Sequence, residues 1–287
     1  MIDVQTASDG VLVPASVYDY AALAEIYNET RVDYIVPMPM NAARMKEYIE
    51  VYDIALDASF VVLAEGRQPV GLGMLGIRAE RAWITRLGVL PMQRGRRLGQ
   101  ALMDAMREAA WARGCRLIQL EVIAGNDPAR HLFIANRFVD RRDLFVVRRP
   151  PRTGLTTPLS DLNLHITPIA QDNVASVLAS RTDCPSWIDE SISLLQSGKL
   201  RGYEAANADG QRSWVVYHAG TLQLTHFAFG AFISDKMART LLFTVHAAHP
   251  ASDTKIENVP ANSPYWPVMQ SLGYIPTFTR QEMVLNR

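Results

Sequence analysis

At 287 residues the chain is long for one compact core and suits two domains of about 140 residues each. With 48% hydrophobic and 20% charged residues, its composition excludes a disordered or fibrous protein. A formal net charge of zero excludes broad attraction to nucleic acid or to an anionic membrane, so any anion site must be local. No run approaches the ~18 apolar residues that cross a bilayer, and the stretch MIDVQTASDGVLVP lacks the basic start and apolar run of a secretory signal. Cys115 and Cys184 have neither paired nor metal-ligand spacing, and the six histidines are scattered. Two thiols in such a chain suit a reducing compartment, and a cytoplasmic protein is expected.

Residues 16–30 and 41–52 place apolar side chains at helical spacing and predict the first two helices. Strands are predicted at 60–64, 70–77 and 83–90, the last two joined by a turn-like Arg78-Ala79-Glu80-Arg81 as an antiparallel hairpin. A long helix is predicted over 95–113, with Leu98, Leu102, Ala105, Met106 and Ala109 on one face. A strand at 117–123, a helix from about Pro128 and a strand pair over 138–147 complete a mixed α/β unit. Residues 148–158, RRPPRTGLTTP, make poor helix and poor strand and read as a linker.

Beyond it the same order begins again. A strand is predicted at 162–169, helices at 171–181 and 186–196, and strands at 202–206, 213–217 and 222–228. A helix over 236–246, a short strand, a helix and a last strand from Ile275 follow. Shifted by 136 residues without a gap, Glu121, Asn126, Pro128 and Phe138 fall on Glu257, Asn262, Pro264 and Tyr274. Leu132 and Phe133 fall on Val268 and Met269 in the same shift. The repeat of element order predicts a duplicated fold.

The chemistry is concentrated in Leu87-Gly88-Val89-Leu90-Pro91-Met92-Gln93-Arg94-Gly95-Arg96-Arg97-Leu98-Gly99-Gln100. A strand ends at a proline, a short arginine- and glycine-bearing loop follows, and an amphipathic helix begins. A helix start leaves about four backbone N–H groups unpaired and carries partial positive charge, which suits a phosphate. Gly95 permits a sharp turn, and Gly99 costs roughly 0.5–1 kcal/mol relative to alanine inside a helix, a cost that close approach of a ligand would justify. Arg94, Arg96 and Arg97 add charge for a pyrophosphate or sugar phosphate. A solvated basic helix start is the plainer reading of these arginines. Nucleic acid is disfavoured, because no aromatic platform interleaves them.

The pattern V-x-P-x-x-R-G-x-x-x-G before a long helix, then L-E-V, N-x-x-A and L-aromatic-x-x-x-x-F, resembles the GNAT acetyltransferase superfamily. The likeness covers residues 70–138 by motif and the first half by element order. It implies two tandem GNAT-like domains of mixed α/β type, at 1–149 and 161–287 with a linker at 150–160, the layout of tandem members such as mycothiol synthases. It implies acetyl-CoA as co-substrate, with the pantetheine arm along the backbone of Leu87, Gly88 and Val89. The pyrophosphate would lie on the amides of Arg94, Gly95, Arg96, Arg97, Leu98, Gly99 and Gln100, and Asn126 beside the end of the pantetheine.

Two positions depart from the family pattern. Arg97 replaces the first glycine of the usual pair, in the expectation that it takes ordinary helical geometry. Phe133, beside the expected cofactor, replaces the tyrosine that commonly serves as general acid. The loss is moderate, because a thiol of pKa about 8.5 departs with only modest difficulty. The amine is harder. An ammonium of pKa ~10.4 lies about three units from neutrality, a cost of about 4–5 kcal/mol unless a base removes its proton. The strand Trp83-Ile84-Thr85-Arg86-Leu87 carries no carboxylate. Glu121 is the foremost single candidate, with Glu80, a water chain and a residue of the second domain left open beside it. Glu121 also reads as a partly buried strand carboxylate paired with an arginine.

Elsewhere, Tyr34, Met38 and Met40 lie where the family admits substrate, or in an ordinary loop, and Cys115 reads as packing. The second half has Phe227-Ala228-Phe229-Gly230-Ala231-Phe232-Ile233-Ser234-Asp235-Lys236 in place of the arginine–glycine loop. Asp235 would repel phosphate and could serve as an N-cap, so this domain is expected to be degenerate and without cofactor. The expectation is an N-acetyltransferase acting on a small-molecule or peptide amine, protein N-termini included, by direct attack in a ternary complex. Monomer and homodimer stay open. The alternative is a non-catalytic acyl-CoA-binding or regulatory module.

Overall fold

A computed structural model describes residues 5–7, 10–64, 67–151, 164–198 and 200–287. The chain divides into two compact units, Met1–Arg141 with Gln281–Arg287, and Arg142–Arg280. No helix among the described residues is long and apolar enough to cross a membrane.

Unit 1 opens with a hairpin that the sequence reading missed, β1 (Gln5–Ala7) and β2 (Gly10–Pro14). The first helix is shorter than expected. A 3₁₀ turn at Ala15–Val17 precedes α1 (Tyr20–Glu29), whose start is fixed by Asp19 accepting the Ala22 N–H. Asn41 caps α2 (Ala42–Val51) in the same way. Such caps satisfy one of the orphan donors of a first turn. Strands β3 (Phe60–Leu63), β4 (Pro69–Arg78) and β5 (Arg81–Val89) form an antiparallel meander, and the predicted hairpin is present, with Arg78 opposite Arg81 and Ala79 at φ 48°. The sheet runs β1-β2-β3-β4-β5-β6, with β6 (Leu117–Ile123) parallel to β5.

A parallel pair needs a crossover, and α3 (Leu98–Ala112) supplies it. It begins at Leu98, three residues later than expected, because Gly95 and Arg97 both take positive φ, which the α-helix forbids. Its buried residues Leu98, Leu102, Met103, Ala105, Met106 and Ala110 join Ile84, Ile118 and Leu120 in the unit's core. Cys115 is fully buried in that core, and burial pushes its thiol up, which fits packing. After β6 comes α4 (Asp127–Ala135), and then β7 (Val139–Arg149), one strand where a pair was expected. The last residues of β13 (Ile275–Asn286) lie beside β6 in unit 1, with Met283 in its core and the Arg287 N–H donating to Arg116 O at 3.0 Å.

Unit 2 repeats this plan. It contains β8 (Leu164–Pro168), α5 (Val174–Ala179), α6 (Ser191–Ser197), β9 (Leu200–Asn207), β10 (Arg212–Ala219), β11 (Gln223–Phe229), α7 (Asp235–Ala248), β12 (Asp253–Pro260) and α8 (Trp266–Ser271). The two helices expected at 171–181 and 186–196 each shrink to a 3₁₀ turn and a short α-helix. Residues 152–160 of the expected linker lie outside the described residues. Strands β11 and β12 are parallel, as β5 and β6 are.

The 136-residue shift holds at the level of single hydrogen bonds. Phe138 N–H donates to Phe133 O at 3.1 Å, and Tyr274 N–H to Met269 O at 3.1 Å. The residue ending each of those helices, Arg137 or Gly273, has positive φ. Strands β5 and β11 also carry matching irregularities, with Arg86 and His226 both at φ 53° beside a register shift. A left-handed residue is uncommon enough that the coincidence supports duplication.

Candidate functional site

The β5–β6 ladder runs from Arg81↔Leu117 to Trp83↔Gln119 and stops there. Beyond it the two strands part. The Leu90 N–H donates to Val70 O at 2.8 Å, so by strand alternation Gly88 faces β4 while the backbone groups of Leu87 and Val89 face the split. Both outward carbonyls already accept guanidinium bonds, Leu87 O from Arg31 at 3.3 Å and Val89 O from Arg94 at 3.1 Å. A Cβ on Gly88 would stand 2.7 Å from the Thr30 hydroxyl oxygen, so this glycine lets the end of α1 close on β5.

The loop after β5 presents donors. The Arg94 N–H bonds Pro91 O, and the first bond at the start of α3 is Ala101 N–H to Arg97 O. Among the described residues, the backbone N–H groups of 95–100 have no acceptor, and no side chain caps α3. Six successive donors at a positive helix end are chemically suited to hold an anion. Gly95, at φ 79°, makes the turn. A Cβ on Gly99 would meet only Leu132 Cδ2, at 3.6 Å, an ordinary contact. Internal packing therefore does not require glycine there, and space is left over the helix start.

The arginines divide the work unequally. Arg94 turns back from the loop, pairing with Asp33 at 2.6 Å and donating to Thr30 O at 3.3 Å. Its hydrogen bond holds the Asp33 carboxyl below its ordinary value. Arg96 bonds Gln93 at 2.7 Å. Among the described residues the Arg97 side chain makes no ion pair or hydrogen bond, and it is exposed. Contrary to expectation, Arg97 does not take helical geometry. It adopts φ 59°, ψ 13°, the left-handed conformation of the glycine it replaces. Non-glycine residues there carry strain, so Arg97→Gly is expected to gain about 0.5–1 kcal/mol after glycine's own entropic cost, read by urea denaturation.

The remaining predicted residues take distinct places. Gln100 exchanges two amide bonds with buried Asn136, at 2.8 and 2.9 Å, so its side chain belongs to the α3–α4 packing. Asn126 is the N-cap of α4, with Oδ1 accepting the Ala129 N–H at 3.4 Å. Phe133 is buried in the core, its ring 6.1 Å from that of Phe138. Glu80 sits in the β4–β5 turn, paired with Arg116 at 3.3 Å. Nearly the whole of β5, roughly 25 Å at about 3.3 Å per residue, separates it from the loop.

Glu121 lies on β6 just past the point of parting, and one oxygen accepts the Trp83 indole N–H at 2.7 Å. Around it stands a cluster that the sequence reading left unassembled. Tyr48 of α2, Tyr52 at its C-terminal cap and Trp83 of β5 pack edge and face, with centroids 4.9–6.1 Å apart. Arg86 stacks over Tyr48 at 4.2 Å and Tyr27 at 5.1 Å, and Arg31 over Tyr34 at 4.3 Å. The Tyr48 hydroxyl bonds Thr85 Oγ1 at 2.6 Å, and burial pushes this phenol up to about 12 against the pull of Arg86. Met40 is pinned by both its backbone groups to the Asn28 amide. Tyrosines at 27, 48 and 52 carry helical spacing, the one signal that pointed to this wall, and spacing alone assigns them to core.

Unit 2 ends differently at the matching loop. Ser234, not Asp235, caps α7 by accepting the Met237 N–H at 3.2 Å, and Asp235 occupies the first helical position. Ser234 holds the extended backbone that an N-cap needs, from which its Oγ reaches the third amide. Glu257, the counterpart of Glu121, is paired with Lys255 and Arg280 at 2.9 and 2.8 Å. Burial opposes its ionisation, but these two cations hold it well below the usual carboxylate range.

Residues 22–136 match the family model of the acetyltransferase (GNAT) family. No curated protein matches the chain. Among solved structures, a GCN5-related N-acetyltransferase from Sphaerobacter thermophilus is similar at 14% identity and TM-score 0.73, over 98% of this chain and 97% of that one. A tandem GNAT protein from the clavulanic acid biosynthesis pathway is similar at 18% identity and TM-score 0.59, over 93% and 94%. A GCN5-related N-acetyltransferase from Kribbella flavida is similar at 16% identity and TM-score 0.57, over 99% and 71%. Identities this low carry the fold alone. The chain carries in its first unit a domain of the GNAT acetyltransferase family, within a fold that it shares with a tandem GNAT protein.

Proposed function

We propose that unit 1 is an N-acetyltransferase that uses acetyl-CoA as co-substrate and an amine, small molecule or peptide, as acceptor. The observation carrying this reading is the run of unpartnered amides at 95–100 at the mouth of the β5–β6 split. These donors and the exposed Arg97 fit a diphosphate. The open face over Gly99 fits its close approach. The N–H groups of Leu87 and Val89 remain for the pantetheine arm, since their carbonyls are held by Arg31 and Arg94. Arg94 and Gln100 act as positioning residues, bracing the loop against α1 and α4. When bound, the thioester supplies an activated acyl group. Glu121 is the base proposed for the acceptor ammonium, oriented by Trp83. Unit 2, with a capped α7 and a paired Glu257, has no cofactor role in this reading.

Incubation of the full chain with acetyl-CoA and a panel of amines, followed by release of free thiol, tests the activity. Acceptor-dependent release is expected. Tight acetyl-CoA binding without turnover on any acceptor would favour the non-catalytic module, which the buried Phe133 in place of a catalytic tyrosine would also suit.

A further inference from the structure

Unit 2 contains a cavity of about 380 Å³ that the acyl-transfer reading does not use. It opens where β11 and β12 part after Leu224↔Thr254. This is the same topological position as the split in unit 1. Phe227, Phe229, Phe232 and Tyr265 line its apolar wall, with Phe229 and Tyr265 stacked at 4.2 Å and Phe232 edge-on to Tyr265 at 5.1 Å. Tyr265 is fixed through its hydroxyl to Ser213 and to the carbonyls of Gly230 and Ala231. The fold thus holds these rings as one packed aromatic wall.

The polar side is organised around Asp189. Its Oδ2 accepts from Ser186 Oγ at 3.1 Å, Ser186 Oγ accepts from the Asn258 amide at 3.1 Å, and Arg280 holds Asn258 Oδ1 at 2.8 Å. Arg181 donates to the Asp189 carbonyl at 2.6 Å, while its other nitrogens are spent on Asp183. Glu257 is paired with Lys255 and Arg280, and Arg142, also in the lining, donates to the Cys184 carbonyl at 2.6 Å. Asp189 Oδ1 is the exception. Its side chain is 9% exposed, this oxygen is itself nearly closed to solvent and has no hydrogen-bond partner, and His226 Nδ1, 3.8 Å away, is an ion-pair partner only when the imidazole is protonated. A buried acceptor left unmade costs about 1–3 kcal/mol, and more for a charged group, so such an atom calls for a donor.

We propose that this cavity is a second small-molecule site, one that takes a compact primary amine with an aromatic or bulky apolar body. The ammonium donates a hydrogen bond to Asp189 Oδ1 once that oxygen turns into the cavity, and the body lies against Phe229, Phe232 and Tyr265. The volume matches roughly a dozen water-sized atoms and falls at the lower end of ligand pockets. An acidic ligand is disfavoured by the same oxygen, and a diphosphate by the capped start of α7 with Asp235. The site stands whether or not unit 1 transfers acyl groups.

The test uses the full chain and 2-phenylethylamine as probe in calorimetric titration, with 3-phenylpropionate as an acid of like shape. Saturable binding of the amine is expected, with none of the acid. Asp189→Asn keeps the bond from Ser186 and is expected to weaken that binding about tenfold or more, the loss of one charge-assisted bond. Phe232→Ala, at a half-buried position, should weaken it too without touching the polar network. A second amine equivalent bound in unit 1 would persist in Asp189→Asn, so the variant counts the sites. No heat with the amine, or an isotherm unchanged by Asp189→Asn, overturns the proposal. So does binding of two acetyl-CoA per chain with one lost in Asp189→Asn, which would give the cavity to the thioester instead.

Discussion

Gly99→Val is expected to abolish acetyl-CoA binding while leaving the fold intact. The position is the second residue of α3, on the amide-bearing face, and an added Cβ meets only Leu132 Cδ2 at 3.6 Å within the protein. The helix itself should gain from losing a glycine, less what a β-branched residue gives back, so stability should shift by under about 1 kcal/mol. The ligand side has no such tolerance. A branched side chain standing over the donors of 95–100 keeps a diphosphate from hydrogen-bond distance, and charge-assisted bonds are worth about 1.5–3 kcal/mol each. Loss of two of them weakens Kd by about a hundredfold or more. Titration calorimetry reads the affinity and urea denaturation the fold. Unchanged affinity in a folded Gly99→Val protein would place the diphosphate elsewhere.

Glu121→Gln is expected to lower kcat by about 10²- to 10⁴-fold, the usual worth of a general base, with little change in KM for acetyl-CoA. Glutamine keeps the shape and still accepts the Trp83 N–H, so the fold is not at stake. The pH profile separates a chemical from a structural role. Without a base, the reactive free amine grows tenfold per pH unit toward its own pKa of about 10.4, so the variant's rate should climb steadily where the parent's levels off. A merely structural loss would lower the rate at every pH without changing the profile's form. Full activity in the variant would pass the proton to water.

Regular elements were legible because their signals are local. The strand Leu117–Ile123 is read without error, and the Arg78–Arg81 hairpin needs only two alternating runs and a short turn. The loop proposed for phosphate was legible as a strand–loop–helix segment for the same reason, being contiguous in sequence. What escaped depends on partners distant in sequence. The Arg94–Asp33 pair spans 61 residues and redirects an arginine that the loop alone offers to phosphate. Gly88 was read for its backbone, and Thr30 packed against it adds a reason for glycine that the sequence did not show. The wall of Tyr27, Tyr48, Trp83 and Arg86 comes from three elements, each of which reads separately as core. Arg97 in a left-handed conformation was missed because residue type argues against it, and the fold overrides that preference where the family has glycine. Asn126 was read from the resemblance as a cofactor neighbour, and its capping of α4 adds a local reason for asparagine at that position.

Calorimetric titration of the full chain with acetyl-CoA bears most directly on the anion cradle at the start of α3. One molecule per chain should bind with measurable heat, and the melting temperature should climb as ligand passes Kd, by about 2.7 kcal/mol of added stability at a hundredfold excess over Kd. No heat on mixing, together with an unmoved melting temperature at saturating ligand, would contradict it.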